Sequence, residues 1–317
     1  MNAEITTAEP AKADHRNLVF ARVGPNSLHK KWASVPYQLR SWDIQLSTYA
    51  ESVKYTEGDF PILLDKGTKW DSIVRFFELH PSLLDKYDFV FFPDDDLDFC
   101  GTMVNKVFEI CAKHDIYISQ PGLTVSSYCW HSLLLSCSLF ELRYINYVEP
   151  MCPCIKSSYL KEILPFIKQH FTGWGIDNVW TMLMPNPAFR AAILDATPVH
   201  HTRPFQVGDI YKTFAEMNID PVLERHSILR AYESSIIGMV VYGGVLPDGT
   251  VVQGIIARIM NGFFLLRNFH NTRNAMSTLR AGVGSFIRVF TLAFYKPERI
   301  TPLLGVPEQP QRPVINT

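Results

Sequence analysis

The sequence predicts an α/β fold: a mostly parallel, mixed sheet flanked by helices, with a helical extension at the C-terminus. Three observations carry this reading. Short apolar runs rich in β-branched and aromatic residues recur, and each feeds a loop or helix instead of a tight hairpin. Between them lie stretches whose apolar residues fall at helical spacing. The run Phe89 to Phe92 stops at Pro93 and opens onto four carboxylates in five positions, Asp94, Asp95, Asp96 and Asp98. A buried strand that ends this way presents its acids in the crevice where open α/β sheets hold ligands.

Taken in order, Asn17 to Val23 predicts the first strand, followed by the turn Gly24-Pro25-Asn26-Ser27. Trp42 to Tyr49 and Pro61 to Leu64 predict two more strands. Trp70, Ile73, Val74, Phe76 and Phe77 share one helical face, and that helix stops near His80-Pro81. Gly101 to His114 predicts a helix, Ile116 to Ser119 a short strand, and Leu139 to Val148 a longer one. Ser157 to His170 is helical. Gly173-Trp174-Gly175-Ile176-Asp177 follows, with a helix expected over Asp177 to Met184, then a strand over Phe189 to Asp195. Beyond Pro204 the reading is helical over Asp209 to Met217, Pro221 to Tyr232, Ile255 to Phe269 and Ala275 to Tyr295. Ile236 to Leu246 is apolar and ends in the turn Pro247-Asp248-Gly249-Thr250. The organisation is then a disordered leader over 1–16, a main domain over 17–211, and a mainly helical region over 212–317 that closes in a Pro-rich tail from Pro302.

Composition bounds the function. The 317 residues are 47% hydrophobic and 19% charged, with a net charge of −1. That balance argues against a nucleic-acid partner. The charge is uneven, because residues 250–317 hold eight Lys or Arg and two acids. The basic, amphipathic stretches there suit an anionic membrane surface or a partner, or simply helices packed on the body with arginines outward. The N-terminus shows no apolar signal segment, and no run reaches the roughly 18–20 apolar residues of a membrane span. Six cysteines without a secretion signal read as reduced thiols, including the pair Cys152 and Cys154. A cytoplasmic location, at the inner membrane face, is the expectation.

The chemistry centres on the acids. Adjacent carboxylates repel unless a cation or donors offset them, and hard oxygens suit Mn²⁺ or Mg²⁺. A solvated acidic turn is the plain competitor. Lys66-Gly67-Thr68-Lys69-Trp70 opens a helix and could meet phosphate through its lysines and free N–H groups, although it lacks P-loop spacing. Asp177 reads equally as a helix cap. His200, His201 and Arg203 follow a strand, and imidazole completes many divalent-metal sites.

Together these residues resemble the GT-A type of nucleotide-sugar glycosyltransferase, and within it the family of plant and bacterial proteins catalogued as DUF707. Carrying the resemblance are Lys66-Gly67-Thr68-Lys69-Trp70, Phe92-Pro93-Asp94-Asp95-Asp96-Leu97, Gln120-Pro121, Val148-Glu149-Pro150-Met151, Gly173-Trp174-Gly175-Ile176-Asp177 and His201-Thr202-Arg203-Pro204. They span residues 17–211 and leave 212–317 untouched. The resemblance implies that Asp94-Asp95-Asp96 is an Asp-x-Asp element. Asp96 and His201 would bind Mn²⁺ or Mg²⁺, with Asp94 and Asp95 on the donor side. Arg203, Lys66 and Lys69 would offset charge on the departing diphosphate. Asp177 would take the proton of the acceptor hydroxyl in an inverting transfer, although the family pattern has several acids there and Asn178 follows here. Trp174 and Glu149 would contact the acceptor, with Glu149 a reserve base. The donor would be a nucleoside-diphosphate sugar, a UDP-sugar first, and the acceptor a glycan or polysaccharide.

Two other readings compete. A phosphatase of the haloacid-dehalogenase type also has an acidic strand end, but its fourth position is Thr or Val where Leu97 stands, and it lies near the first strand. A non-catalytic sugar-binding protein would not need Asp94, Asp96, Asp177 and His201 together. A calcium loop fails on Phe99, where glycine is required.

Overall fold

A computed structural model describes residues 15–205, 211, 214–215, 218–232 and 238–303. The expected leader therefore lies almost wholly outside the described residues, as do most of the helix expected over 209–217 and the tail from 304.

The strands are β1 (Asn17–Arg22), β2 (Trp42–Thr48), β3 (Leu63–Leu64), β4 (Phe89–Phe91), β5 (Leu97–Asp98), β6 (Ile118–Leu123), β7 (Leu142–Ile145), β8 (Cys154–Lys156), β9 (Ala191–His201), β10 (Val241–Val245) and β11 (Val251–Gln253). The helices are α1 (His29–Ala33), α2 (Lys69–Leu79), α3 (Leu83–Lys86), α4 (Thr102–Lys113), α5 (Ser157–Lys168), α6 (Pro221–Tyr232), α7 (Gly254–Asn268) and α8 (Ala275–Thr291). One sheet runs in the order β11-β10-β7-β9-β6-β8-β4-β1-β2-β3, with β5 paired to β9 at its side. It is mixed. β3, β2, β1 and β4 run parallel, as do β6 and β9, whereas β8 is antiparallel to both β4 and β6. The α/β class, the flanking helices and the helical C-terminal region are all present.

Side-chain alternation splits the core between the two faces of the sheet. Phe89 and Phe91 point to the face covered by Trp32, Val104, Val107 and Phe108. Val90 and Phe92 point to the other, among Trp70, Ile73, Phe77 and Leu160. β4 ends before Pro93, as a residue without an N–H dictates. Pro121 sits inside β6, which is longer than expected. This is tolerated because β8 pairs only with Ile118 and Ser119, so on that side Pro121 faces no strand that needs its N–H.

Two further expectations are corrected. The helix expected over Asp177 to Met184 is only a 3₁₀ turn, Ile176–Asn178. Gly175 enters it with φ 95°. The polar groups beyond it serve other elements: Trp180 Nε1 donates to Val148 O (2.9 Å), Thr181 Oγ1 to Asn146 O (2.7 Å), and Trp180 O accepts from Tyr159. The strand expected over Phe189 to Asp195 runs on to His201, because Leu97 and Asp98 pair with His201 and His200. Asp98 is thus a strand residue, bonded to Lys31 at 2.6 Å.

The C-terminal region shares this sheet. β10 pairs antiparallel with β7, and β11 with β10. α7 and α8 then pack as an antiparallel hairpin over that end. Gly262 and Gly282 bring them together, since a Cβ on either would meet Phe286 or Leu266 within 3.0 Å. Among the described residues no helix is long and apolar enough to cross a membrane.

Candidate active site

The β5–β9 pairing assembles the site. It sets His201 opposite Leu97, the residue next to Asp96. His201 Nε2 then lies 3.2 Å from Asp96 Oδ2. Its Nδ1 is 2.7 Å from the Tyr128 carbonyl, which leaves Nε2 as the atom turned to the carboxylate. Burial opposes protonation of His201, but the Asp96 bond and charge and the Tyr128 carbonyl outweigh it and raise its pKa. Asp96 Oδ1 is buried and makes no hydrogen bond among the described residues. A buried carboxylate oxygen without a partner is costly and calls for an explanation, which a bound cation supplies.

Asp94 and Asp95 diverge. Asp95 turns inward: its Oδ2 accepts from Gly24 N at 2.7 Å and its Oδ1 from Arg203 Nη1 at 3.2 Å. Arg203 also reaches the Asn26 carbonyl. It therefore ties the acidic turn to the turn after β1, and keeps about 40% of its side chain exposed. Asp94 bridges in parallel to Arg22 of β1. Burial pushes its carboxyl up to about 6, against the opposing charge of Lys69.

The lysines are a correction. Lys69 Nζ is enclosed by Asp94 Oδ1 (2.5 Å) and the carbonyls of Phe92 (2.7 Å), Pro150 (2.8 Å) and Met151 (3.0 Å). An ammonium has three protons, so four acceptors leave none for a phosphate. Lys69 is a clamp that fastens the 150–151 turn to the end of β4. Lys66 stands at the surface, 3.6 Å from Glu51, and contacts none of the acids in the cleft. The start of α2 is instead closed by Thr68, whose side chain accepts from Asp71 N.

The Val148-Glu149-Pro150-Met151 turn brings in another carboxyl. Glu149 is only 6% exposed, and its Oε2 has no hydrogen-bond partner among the described residues. Burial first, then the charges of Asp177 and Asp94, push its pKa up to about 8, with His201 opposing. Its backbone N–H donates to Gln120 Oε1 at 2.6 Å, while Gln120 Nε2 is itself buried without a partner. Asp177 is better held. Its Oδ2 accepts from the Tyr147 hydroxyl and its Oδ1 from Asn178 Nδ2, both at 2.6 Å. Burial raises its pKa, and Tyr147, Asn178 and the charge of Arg225 moderate that rise. Trp174 is half-buried, with its ring edge-on to Tyr211 at 6.4 Å.

Asp94, Asp96, Glu149, Asp177 and His201 thus share one electrostatic neighbourhood, each of the others acting on the charge of Glu149 or of Asp94. Gln120 is among the residues that carry the resemblance, without a role assigned to it, whereas Tyr147 and Arg225 carry no mark in the sequence. Tyr147 lies two residues past β7, on a stretch read only as a strand. Arg225 comes from α6, 48 positions beyond Asp177 in the numbering, and passes so close to Gly175 that a Cβ there would sit 2.9 Å from its Cα.

Residues 27–141 match the family model described as "Protein of unknown function (DUF707)". The family resemblance read from the sequence holds over this stretch. It covers the Lys66–Trp70 segment and the Asp94–Asp96 turn, and stops short of Glu149, Asp177 and His201. No curated protein matches. Among solved structures the chain is similar to S. aureus TarS 1–349 in complex with UDP-GlcNAc, at 11% identity and a TM-score of 0.40, covering 86% of this chain and 81% of that one. A second structure of S. aureus TarS 1–349 aligns at 10% identity and a TM-score of 0.41, covering 92% and 98%. A197 from STIV aligns at 12% identity and a TM-score of 0.31, covering 75% and 93%. At such scores and identities the likeness assigns no activity and no residue role to this chain.

Proposed function

We propose that this chain is a metal-dependent glycosyltransferase of the GT-A type. It moves a sugar from a nucleoside-diphosphate sugar, a UDP-sugar first, to a hydroxyl of a glycan or polysaccharide, with inversion. The observation that carries the reading is the β5–β9 pairing, which sets His201 against Asp96 at the carboxyl end of the central parallel strands.

The residues fit Mn²⁺ or Mg²⁺. Asp96 offers a buried oxygen that no other described residue satisfies, and His201 a nitrogen beside it. Among the described residues no cluster of three or more His, Cys, Asp or Glu could hold a metal. The protein would thus supply two ligands, leaving positions for diphosphate oxygens. When bound, the ion would stabilise charge on the departing diphosphate. Arg203, partly exposed beside Asp95, would add to that stabilisation. Asp94 and Asp95 fix the floor of the donor side, with Lys69 fastening Asp94.

Asp177 is the base. It accepts two hydrogen bonds that favour its charged, oriented form, and would take the acceptor proton as the hydroxyl attacks the anomeric carbon. Glu149, held neutral at neutral pH, has a carboxyl to hydrogen-bond the acceptor, and Trp174 would add an apolar surface for it. Cytoplasmic placement and the division of the chain into 17–211 and 212–317 belong to the same proposal.

Donor hydrolysis without acceptor tests it. Slow, Mn²⁺- or Mg²⁺-dependent release of nucleoside diphosphate from one nucleotide sugar in a panel is expected. No release and no binding across the panel would overturn the reading.

A further inference from the structure

The α7–α8 hairpin is built inside out for a helix pair that meets water. Its buried positions hold Arg258, Asn261, Thr278, Ser285 and two glycines, and only Ala257 and Leu265 add apolar side chains there. Most are tied inside the protein: Asn261 Oδ1 accepts from Arg143, Thr278 bonds Ser132 at 2.9 Å, and Arg258 Nε donates to the Val241 carbonyl, while Arg258 Nη1 and Nη2 are buried without a partner among the described residues. Its outward positions hold large apolar side chains. Ile256, Ile259 and Phe263 stand one turn apart along α7. Ile287 and Phe290 are exposed along α8, and Phe294 lies just past its end. Phe290 is 87% exposed and Phe294 95%. A water-facing helix shows the opposite pattern, and an apolar face of this extent marks an interaction surface.

Charge identifies the occupant. No acid occurs between Asp248 and Glu298, whereas five arginines do. Arg267 and Arg280 are exposed on the hairpin and form no ion pair among the described residues. A symmetric pairing of two copies through this face would set those arginines against each other with no acid to meet them. A layer of anionic lipid headgroups over an apolar interior matches both features. The helices have 15 and 17 residues, short of the roughly 20 that span a bilayer.

We infer that the outer face of the α7–α8 hairpin docks the protein on an anionic membrane surface, with Phe290 and Phe294 inserted among the acyl chains and Arg267 and Arg280 at the headgroups. This does not depend on the proposed transferase activity.

The test is co-sedimentation of the full chain with vesicles of phosphatidylcholine alone or mixed with phosphatidylglycerol. Binding to the mixed vesicles is expected, with little to the neutral ones. The paired substitution Phe290→Ser and Phe294→Ser should weaken it about tenfold or more, from lost apolar burial. Arg267→Glu with Arg280→Glu should remove the preference for phosphatidylglycerol. All four residues are exposed, so folding should be unchanged by circular dichroism. Equal binding of wild type and variants, or no binding to the mixed vesicles, would overturn the inference. So would self-association that the two serines abolish in a chain that ignores vesicles. Nucleotide-sugar hydrolysis by the same variants in solution is expected at the wild-type rate, so a failure here is distinct from a failure of the activity.

Discussion

Burial makes the charge of Glu149 unfavourable, and the consequence for stability has a definite sign. Its folded pKa, about 8, lies above its ordinary value of 4.5. The folded state therefore holds a proton that the unfolded chain has released, and stability falls as pH rises through that window. The neutral mimic Glu149→Gln should stabilise the ligand-free protein little at pH near 4.5. The gain should grow to the order of a few kcal/mol by about pH 8. Thermal denaturation across that range checks it; a constant difference would show that Glu149 does not titrate there. Tyr147 acts through Asp177, as a positioning residue. Tyr147→Phe removes a hydrogen bond to the charged carboxylate, so kcat should fall about tenfold with the donor KM unchanged. The acidic limb of the pH–rate profile should also move to higher pH, an effect that loss of packing alone would not produce.

At the scale of elements, one buried arginine joins three parts of the fold. Arg143 of β7 is fully buried and bonds Asp195 of β9 through two nitrogens at 2.8 Å. It also donates to the carbonyls of Leu133 and Leu135 and to Asn261 of α7. Arg143→Ala would strand the Asp195 carboxylate, and should cost about 3–5 kcal/mol in chemical denaturation. A loss below about 1 kcal/mol would mean the pair is not the tie described. The same contact explains what the sequence conceals. Local runs such as Phe89 to Phe92, and the spacing of α2, α4 and α5, are legible because each element's pattern reflects its own burial. The reach of β9 to His201 is not, because Pro198 and two histidines look like a loop until β5 pairs with them. Lys69 misleads for a related reason. A lysine at a helix start suits phosphate locally, yet its partners Pro150 and Met151 lie some eighty positions away. Asp177 was found by its glycines, whereas the residue that orients it, Tyr147, carries no local mark.

For the whole molecule, the two halves of the chain meet on one sheet. The acidic turn comes from β4, the histidine from β9, the carboxyls of Glu149 and Asp177 from the turns between β7 and β9, and a C-terminal hairpin covers the far end. The central claim is that Asp96 and His201 form a metal site completed by a nucleoside diphosphate. Isothermal titration of UDP, with Mn²⁺ and then with chelator, into wild type, Asp96→Ala and His201→Ala measures it most directly. Wild type is expected to bind only with metal, and both variants to lose that binding, or to bind about a hundredfold more weakly, while they remain folded. Binding that is indifferent to Mn²⁺, or that survives unchanged in Asp96→Ala, would contradict it.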